Sequence, residues 1–281
     1  MIRIGLAGWG DHDSFHVKRV APKDRLREYA AHFPVVEVDS SFYAVQPEKN
    51  FAKWVSDTPD GFGFMVKAYQ GMTGHLRGKP SYTSDADMYT AFVESLTPAI
   101  REDRLVCVLF QYPPWFACTR ENVAQLREAR ERMGEIPCAL EFRHQSWFTE
   151  DMLPRTLDFM RKEGWVHTVC DEPQVPPGSV PAVLAATSEE LTLVRLHGRN
   201  AAGWVKSTDA NWREVRYLYR YSTDELADWM ERLELLKTMS RQVCVIFNNN
   251  SGGDAADNAL ELMGMLPGAG GGPAPRQLDL F

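Results

Sequence analysis

Several familiar signatures are missing from this 281-residue chain. It has no GxGxxG fingerprint, P-loop, GxSxG elbow or HExxH helix. Dinucleotide, Walker-type, serine-hydrolase and zincin chemistries therefore have no motif support. No apolar run approaches the roughly 20 residues needed to span a bilayer, so no membrane role is expected. Cysteine is scarce: Cys107, Cys118, Cys138, Cys170 and Cys244 are odd in number, sit mostly within apolar runs and form no CxxC pair. They read as reduced core thiols. Positive charge is also short. With 31 Lys and Arg against 38 Asp and Glu, the net charge is −7, which excludes an all-over electrostatic grip on nucleic acid and requires any such contact to be focused. Met1 is followed by Ile2, Arg3, Ile4, Gly5 and Leu6, a strand-like start rather than the basic-then-apolar pattern of an export signal. A cytoplasmic protein is expected.

What is present is an alternation of short β-branched runs with longer amphipathic stretches, the pattern of βα units feeding a parallel sheet. Eight strands are expected: Ile2 to Ala7, Val35 to Asp39, Gly63 to Lys67, Leu105 to Gln111, Cys138 to Phe142, Trp165 to Cys170, Leu193 to His197 and Val243 to Asn248. That number, evenly spread, favours closure into a (β/α)8 TIM barrel over an open doubly wound sheet, and such a barrel commonly takes about 250 residues. Pro22 precedes a helix with Leu26, Tyr29, Ala30 and Phe33 on one face, and Thr119 and Thr223 read as N-caps of later helices. The low-complexity stretch Pro267 to Pro275 marks a short flexible C-terminal tail. The chain thus divides into a barrel domain at 1–266, a Pro/Gly-rich linker at 267–276 and a terminal segment at 277–281.

Strand side chains alternate between two faces, so polar residues identify the face that looks into a barrel. In the second strand Val36 and Val38 take the outer set, which turns Glu37 and Asp39 inward. Glu141 shares a face with Arg143, and Arg195 with His197. Lys67, Gln111, Asp171 and Asn248 fall at or just after strand ends. A barrel core favours Val, Ile and Leu, so ionisable groups gathered at one end of many strands point to a site at the C-terminal mouth. The alternative is a buried ion-pair network, which the near balance of Glu37, Asp39, Glu141 and Asp171 against Lys67, Arg143 and Arg195 would suit.

On the functional reading, Glu37, Glu141 and His197 exchange protons, while Asp39, Lys67, Gln111, Arg143, His144, Asp171, Arg195, Arg199, Asn248, Gly252 and Gly253 hold the substrate. Arg195, Arg199 and the Gly252-Gly253 turn before a helix would take a phosphate. From Arg195 to Tyr221, Arg199, Lys206, Arg213, Arg216 and Arg220 interleave with Trp204, Trp212, Tyr217 and Tyr219. That pattern suits a nucleic-acid strand, a sugar phosphate, or an aromatic roof over the barrel with its arginines in water. No cofactor is expected. A divalent metal among the carboxylates, His144 and His197 is the weaker alternative, because Lys67, Arg143 and Arg195 would already neutralise the carboxylates. His12, His16, His32 and His75 read as solvated loop or helix-face residues, with His12 and His16, which follow the first strand, within reach of the mouth as the alternative.

Seven segments in order carry a family resemblance: GLAGWG from Gly5, VEVDSSFY from Val36, LFQYPPWF from Leu109, EFRHQSWF from Glu141, VRLHGRN from Val194, YRYS from Tyr219 and FNNNSGGDAADNA from Phe247. Together they resemble the bacterial and archaeal family called domain of unknown function 72, or YecE-like, over nearly the whole chain. The resemblance implies a TIM barrel and a shared pocket containing Glu37, Glu141, Arg143, His144, Arg195, His197, Arg199 and Asn248, with no settled reaction. Ala7 departs from the Thr or Ser that usually precedes the Gly-Trp step, and Gln145 from the usual Pro.

The expected function is an enzyme acting on a phosphate-bearing substrate, foremost nucleic acid or a nucleotide, by hydrolysis or lyase chemistry. One alternative is a sugar-phosphate isomerase or aldolase-like enzyme with Lys67 as a Schiff-base amine; another is a non-catalytic nucleotide or nucleic-acid binding module. The terminal QLDLF resembles the short motif by which bacterial DNA polymerases and repair proteins dock on the sliding clamp. Gln277 would be the amide anchor and Leu278, Leu280 and Phe281 the pocket fillers. Such docking would favour DNA, and DNA repair, as the field of action. Folding of these apolar residues back onto the barrel is the alternative.

Overall fold

The computed structural model describes residues 1–10, 12, 20–79, 81–205 and 215–266. Among these, eight parallel strands close in sequence order into a barrel. They are β1 (Ile2–Ala7), β2 (Val35–Val38), β3 (Gly63–Lys67), β4 (Leu105–Gln111), β5 (Cys138–Glu141), β6 (Trp165–Asp171), β7 (Leu191–Leu196) and β8 (Gln242–Phe247). Three strands have the expected ends, and the others differ by one or two residues. β2 stops at Val38 because Asp39 already adopts helical backbone angles, and the Ser41 hydroxyl bridges the carbonyls of Val38 and Lys67 across the strand ends.

The strand alternation sorts the apolar residues into two sets. Val36 and Val38 belong to the large outer core with the helices, while Val35, Met65, Cys107, Leu109, Ala139, Val166, Leu193, Cys244 and Ile246 fill the barrel interior. Gly5 lets β1 and β2 approach closely, since a Cβ there would stand 2.0 Å from the Val35 carbonyl oxygen.

Outside the barrel, Leu26, Tyr29 and Ala30 of the helix Arg25–His32 are buried, as is Phe33 at its C-cap. The Tyr29 hydroxyl donates to the Val35 carbonyl at 2.7 Å and accepts from the Leu6 amide at 2.8 Å. Thr119 caps the helix Arg120–Met133. The cap of Thr223–Lys237 is Ser222, not Thr223, because Glu225 at the third helical position reaches back to complete a capping box. The β6–β7 connection, residues 172–190, carries no helix, an irregularity in the βα alternation. No helix among the described residues is long and apolar enough to cross a membrane. The linker at 267–276 and the terminal segment at 277–281 lie outside the described residues.

Candidate active site

Above the apolar interior the inward positions turn polar. In β3 Met65 is followed on the same face by Lys67, in β4 Leu109 by Gln111, in β5 Ala139 by Glu141, and in β7 Leu193 by Arg195. Gln111 pairs in register with Glu141, and Cys170 with Arg195, so these side chains share a level at the C-terminal mouth. This is where a barrel of this type carries its chemistry.

Arg195 is the hub. Its Nε and Nη2 donate to the two Glu37 oxygens at 2.9 and 2.7 Å, and its Nη1 donates to Glu141 at 2.7 Å and to Gln111 at 3.2 Å. Arg143 forms a second fork, from Nε to Glu141 at 2.6 Å and from Nη1 to Glu172 at 2.6 Å. The remaining Glu172 oxygen accepts from the Val180 amide at 2.7 Å. All five of these charged side chains are buried. Such pairs persist because guanidinium and carboxylate satisfy each other's hydrogen bonds away from water.

His197 completes the cluster, with Nε2 at 2.9 Å from Arg143 Nη2 and Nδ1 at 3.0 Å from the Asn248 side-chain amide. Arg143 can only donate, so Nε2 accepts and the ring proton belongs on Nδ1, which requires the Asn248 amide to turn its oxygen to the ring. Burial, then Arg143 and Arg195, hold His197 well below its usual pKa, so the ring is neutral. Burial alone would raise Glu141, yet Arg143 and then Arg195 hold it well below the ordinary carboxylate range. Burial outweighs Arg195 at Glu37, whose pKa is raised. It also pushes Glu172 up to about 7 against the pull of Arg143.

Lys67 differs from every other cation of the cluster. Its Nζ lies 4.8 Å from the centroid of the Phe42 ring, and it makes no hydrogen bond or salt bridge to a described residue. Burial, reinforced by the positive Arg195, lowers its pKa. The Phe42 ring packs on His75 at 5.1 Å between centroids, and His75 on Trp115 at 6.0 Å. Burial and the nearby Lys67, Arg143 and Arg77 lower the His75 pKa to about 4. Trp204 roofs the opposite side, lying under the guanidinium of Arg216 at 4.0 Å and near that of Arg143 at 5.4 Å. Beside it, a cleft of about 480 Å³ is lined by Glu172, Gln174, Arg199 and Ala201.

The structure thus brings together Glu37, Lys67, Gln111, Glu141, Arg143, Arg195, His197 and Asn248. Other expected residues are elsewhere. Asp39 is exposed just past β2. His144 spends Nδ1 on Ser146 and caps the short turn Gln145–Trp147. Asp171 does not join the inward cluster; it holds Arg199 Nε at 3.0 Å and the Trp229 indole at 3.0 Å, and Arg199 also donates to Glu225. These contacts fasten the helix Thr223–Lys237 to the barrel. The Gly252-Gly253 turn precedes the helix Asp254–Met265, whose first turn already carries Asp254 and Asp257, both paired with Arg220. Those carboxylates occupy the positive end of the helix dipole that a phosphate would use. Within the aromatic and basic stretch, Lys206, Trp212 and Arg213 lie outside the described residues, as do His16, Gln277, Leu278, Leu280 and Phe281.

Glu141, Cys170 and His197 approach within metal-binding reach of one another. Both Glu141 oxygens are already claimed by arginines, which disfavours a divalent cation there. Glu172 was not singled out in the sequence, and two histidines read as solvated are not: His12 is buried against the Gly8 carbonyl and Asn250, and His75 is half-buried on Phe42. Glu172 is the inward residue after Val166, Thr168 and Cys170, a parity visible in the sequence. His75 had no local signal, because its neighbours come from other loops.

The family described as "Protein of unknown function DUF72" matches residues 3–278. This chain belongs to the DUF72 family. Its curated relative "UPF0759 protein YunF" of Bacillus subtilis is 56% identical over 282 residues, covering 100% of both chains. "UPF0759 protein YecE" of Escherichia coli K12 is 28% identical over 159 residues, covering 56% of this chain and 54% of the relative. The crystal structure of a DUF72 family protein from Enterococcus faecalis V583 superimposes with a TM-score of 0.92 at 40% identity, covering 99% of this chain and 100% of the other. One from Thermotoga maritima MSB8 gives 0.80 at 30% identity, with 94% and 98% covered.

Proposed function

We propose that this DUF72 protein is an imine-forming enzyme, of lyase or aldolase type, acting on a phosphate-bearing carbonyl compound through Lys67. The observation that carries this reading is the isolation of that amine: Arg143 and Arg195 beside it are committed to carboxylates, whereas the Lys67 ammonium has neither hydrogen bond nor ion pair to a described residue. A lowered pKa increases the fraction of neutral amine, the form that attacks a carbonyl carbon. The nitrogen adds to that carbon, the oxygen takes both amine protons and departs as water, and a C=N bond remains. Once protonated, this bond accepts the electron pair of a bond breaking at the adjacent carbons. Glu37 and Glu141, the acid and base expected from residue type, are less suited to lead, since their oxygens are held by arginines. The Arg195, Glu37 and Glu141 network instead fixes the charge and shape of the floor on which the amine stands.

Sodium borohydride with deoxyribose phosphate, glyceraldehyde phosphate or dihydroxyacetone phosphate is expected to leave a reduced sugar on Lys67, located by peptide mapping. Absence of an adduct with all three, or an adduct confined to other lysines, rejects the amine as nucleophile.

The terminal segment extends the proposal. Docking of Gln277, Leu278, Leu280 and Phe281 on the bacterial sliding clamp would place this chemistry on DNA. Purified protein is expected to bind the clamp, and Leu280→Ala with Phe281→Ala to abolish that binding. Equal binding by both forms, or by neither, removes the clamp from the proposal.

A further inference from the structure

The three connections that follow β2, β3 and β4 form the side of the mouth nearest Lys67, and their sequences share an unusual property. The connection after β2 opens with one acid, Asp39, and residues 40–47, 68–84 and 112–119 hold none, although the chain as a whole carries a net charge of −7. Arg77 and Lys79 are exposed on the middle connection. Aromatic rings connect the amine to solvent: Lys67 lies on Phe42, Phe42 meets His75 on one side and Tyr43 at 5.3 Å on the other, and His75 meets Trp115. At the outer ends Tyr43 is 66% and Trp115 is 59% exposed, large for rings of this size. The Arg77 guanidinium lies 5.8 Å from the Trp115 ring centroid.

We infer that this acid-poor rim binds an unpaired nucleic-acid strand, with bases stacking on Trp115 and Tyr43 and phosphates facing Arg77 and Lys79. Exposed flat rings beside free cations match the two features every nucleotide repeats, a π-face and a phosphate. A neutral sugar could stack on Trp115 as well, but carboxylates that accept its hydroxyl protons are missing from residues 68–84 and 112–119, the two connections that carry Arg77 and Trp115. The focused cationic rim also resolves how an acidic protein holds a polyanion. The inference deepens the Lys67 reading and rests on it for the reaction: a strand presents an aldehyde to the amine where a sugar has lost its base and opened.

The test is fluorescence anisotropy of a labelled oligothymidylate with the full chain, Trp115→Ala, and Arg77→Gln with Lys79→Gln. Wild type is expected to bind. Trp115→Ala is expected to bind roughly tenfold more weakly, and the double variant to show a logarithmic salt dependence shallower by about 1.4. All three proteins should melt alike, because the altered side chains are exposed. Equal binding by wild type and Trp115→Ala, no binding by either, or displacement of the strand by an equal concentration of adenosine monophosphate overturns the inference. The oligonucleotide carries no aldehyde or ketone that could form an imine and the sugar phosphates of the trapping experiment need no Trp115, so failure of the strand site and failure of the amine are read separately.

Discussion

Replacing Arg195 with methionine is expected to cost about 3–5 kcal/mol of stability, the range for leaving buried charges without their partner. Arg195 satisfies both oxygens of Glu37 and one of Glu141 in a setting from which water is excluded. Methionine fills much of the volume but offers no donor. Glu141 keeps Arg143, whereas Glu37 loses its bidentate partner and its pKa, already raised by burial, rises further. A carboxyl whose folded pKa exceeds its unfolded value contributes stability below the unfolded pKa and loses it as pH climbs through the folded one. The variant should therefore suffer less at about pH 5 than at about pH 8, as read by urea unfolding at both. A loss under about 1 kcal/mol, or one independent of pH, would show that the network is not the electrostatic unit described here.

Lys67→Met is expected to do the opposite to the fold while eliminating borohydride trapping completely. The Lys67 ammonium is desolvated beside Arg195 and donates no hydrogen bond to a described residue in return, a combination that stabilising substitutions commonly relieve by about 1 kcal/mol. Because its folded pKa is lowered, the lysine adds stability above its unfolded pKa and loses it as pH falls toward the folded value. The gain from methionine should accordingly be largest near neutrality and fade in alkali. A less stable variant would mean that the amine has a structural partner, and a variant that still traps at this strand end would remove Lys67 from the chemistry. Protein sites that sacrifice stability for reactivity behave in the expected manner.

Alternation made much of this site legible in the sequence. Val36 and Val38 on one face turned Glu37 to the other, and the same parity grouped Glu141 with Arg143 and Arg195 with His197; the barrel joins all five in one hydrogen-bonded cluster. Parity also exposes the misplacement of Asp171. Val166 faces inward, so Thr168, Cys170 and Glu172 follow it, while Asp171 points toward Trp229 and Arg199. Reading the strand end by proximity alone selected the neighbour of the residue that enters the cluster. The asparagines of the FNNNSGGDAADNA segment illustrate a second limit. Asn258 pairs with the backbone of Tyr221 at both its amide and carbonyl, and Asn249 holds the Tyr219 carbonyl, so a conspicuous polar run serves to anchor a connection. The acid-poor rim was hidden for another reason, since its residues come from three separate loops and only closure of the barrel makes them neighbours.

The helix-free connection between β6 and β7 bears on how this barrel can change over evolutionary time. Mouth loops of such barrels ordinarily vary without consequence for the scaffold, which is how one architecture acquires many chemistries. Here the same stretch offers the Val180 amide to Glu172 at the mouth, the Val183 carbonyl to His167 midway, and the Thr187 hydroxyl to the Trp165 carbonyl at the foot of the strand. An insertion between Val180 and Thr187 would have to break register with β6 or release the carboxyl that steadies Arg143. Diversification of this scaffold is thereby directed away from the sixth connection and toward the loops after β2, β3 and β4, where exposed side chains such as Tyr43, Arg77 and Trp115 can be exchanged without unfastening a strand.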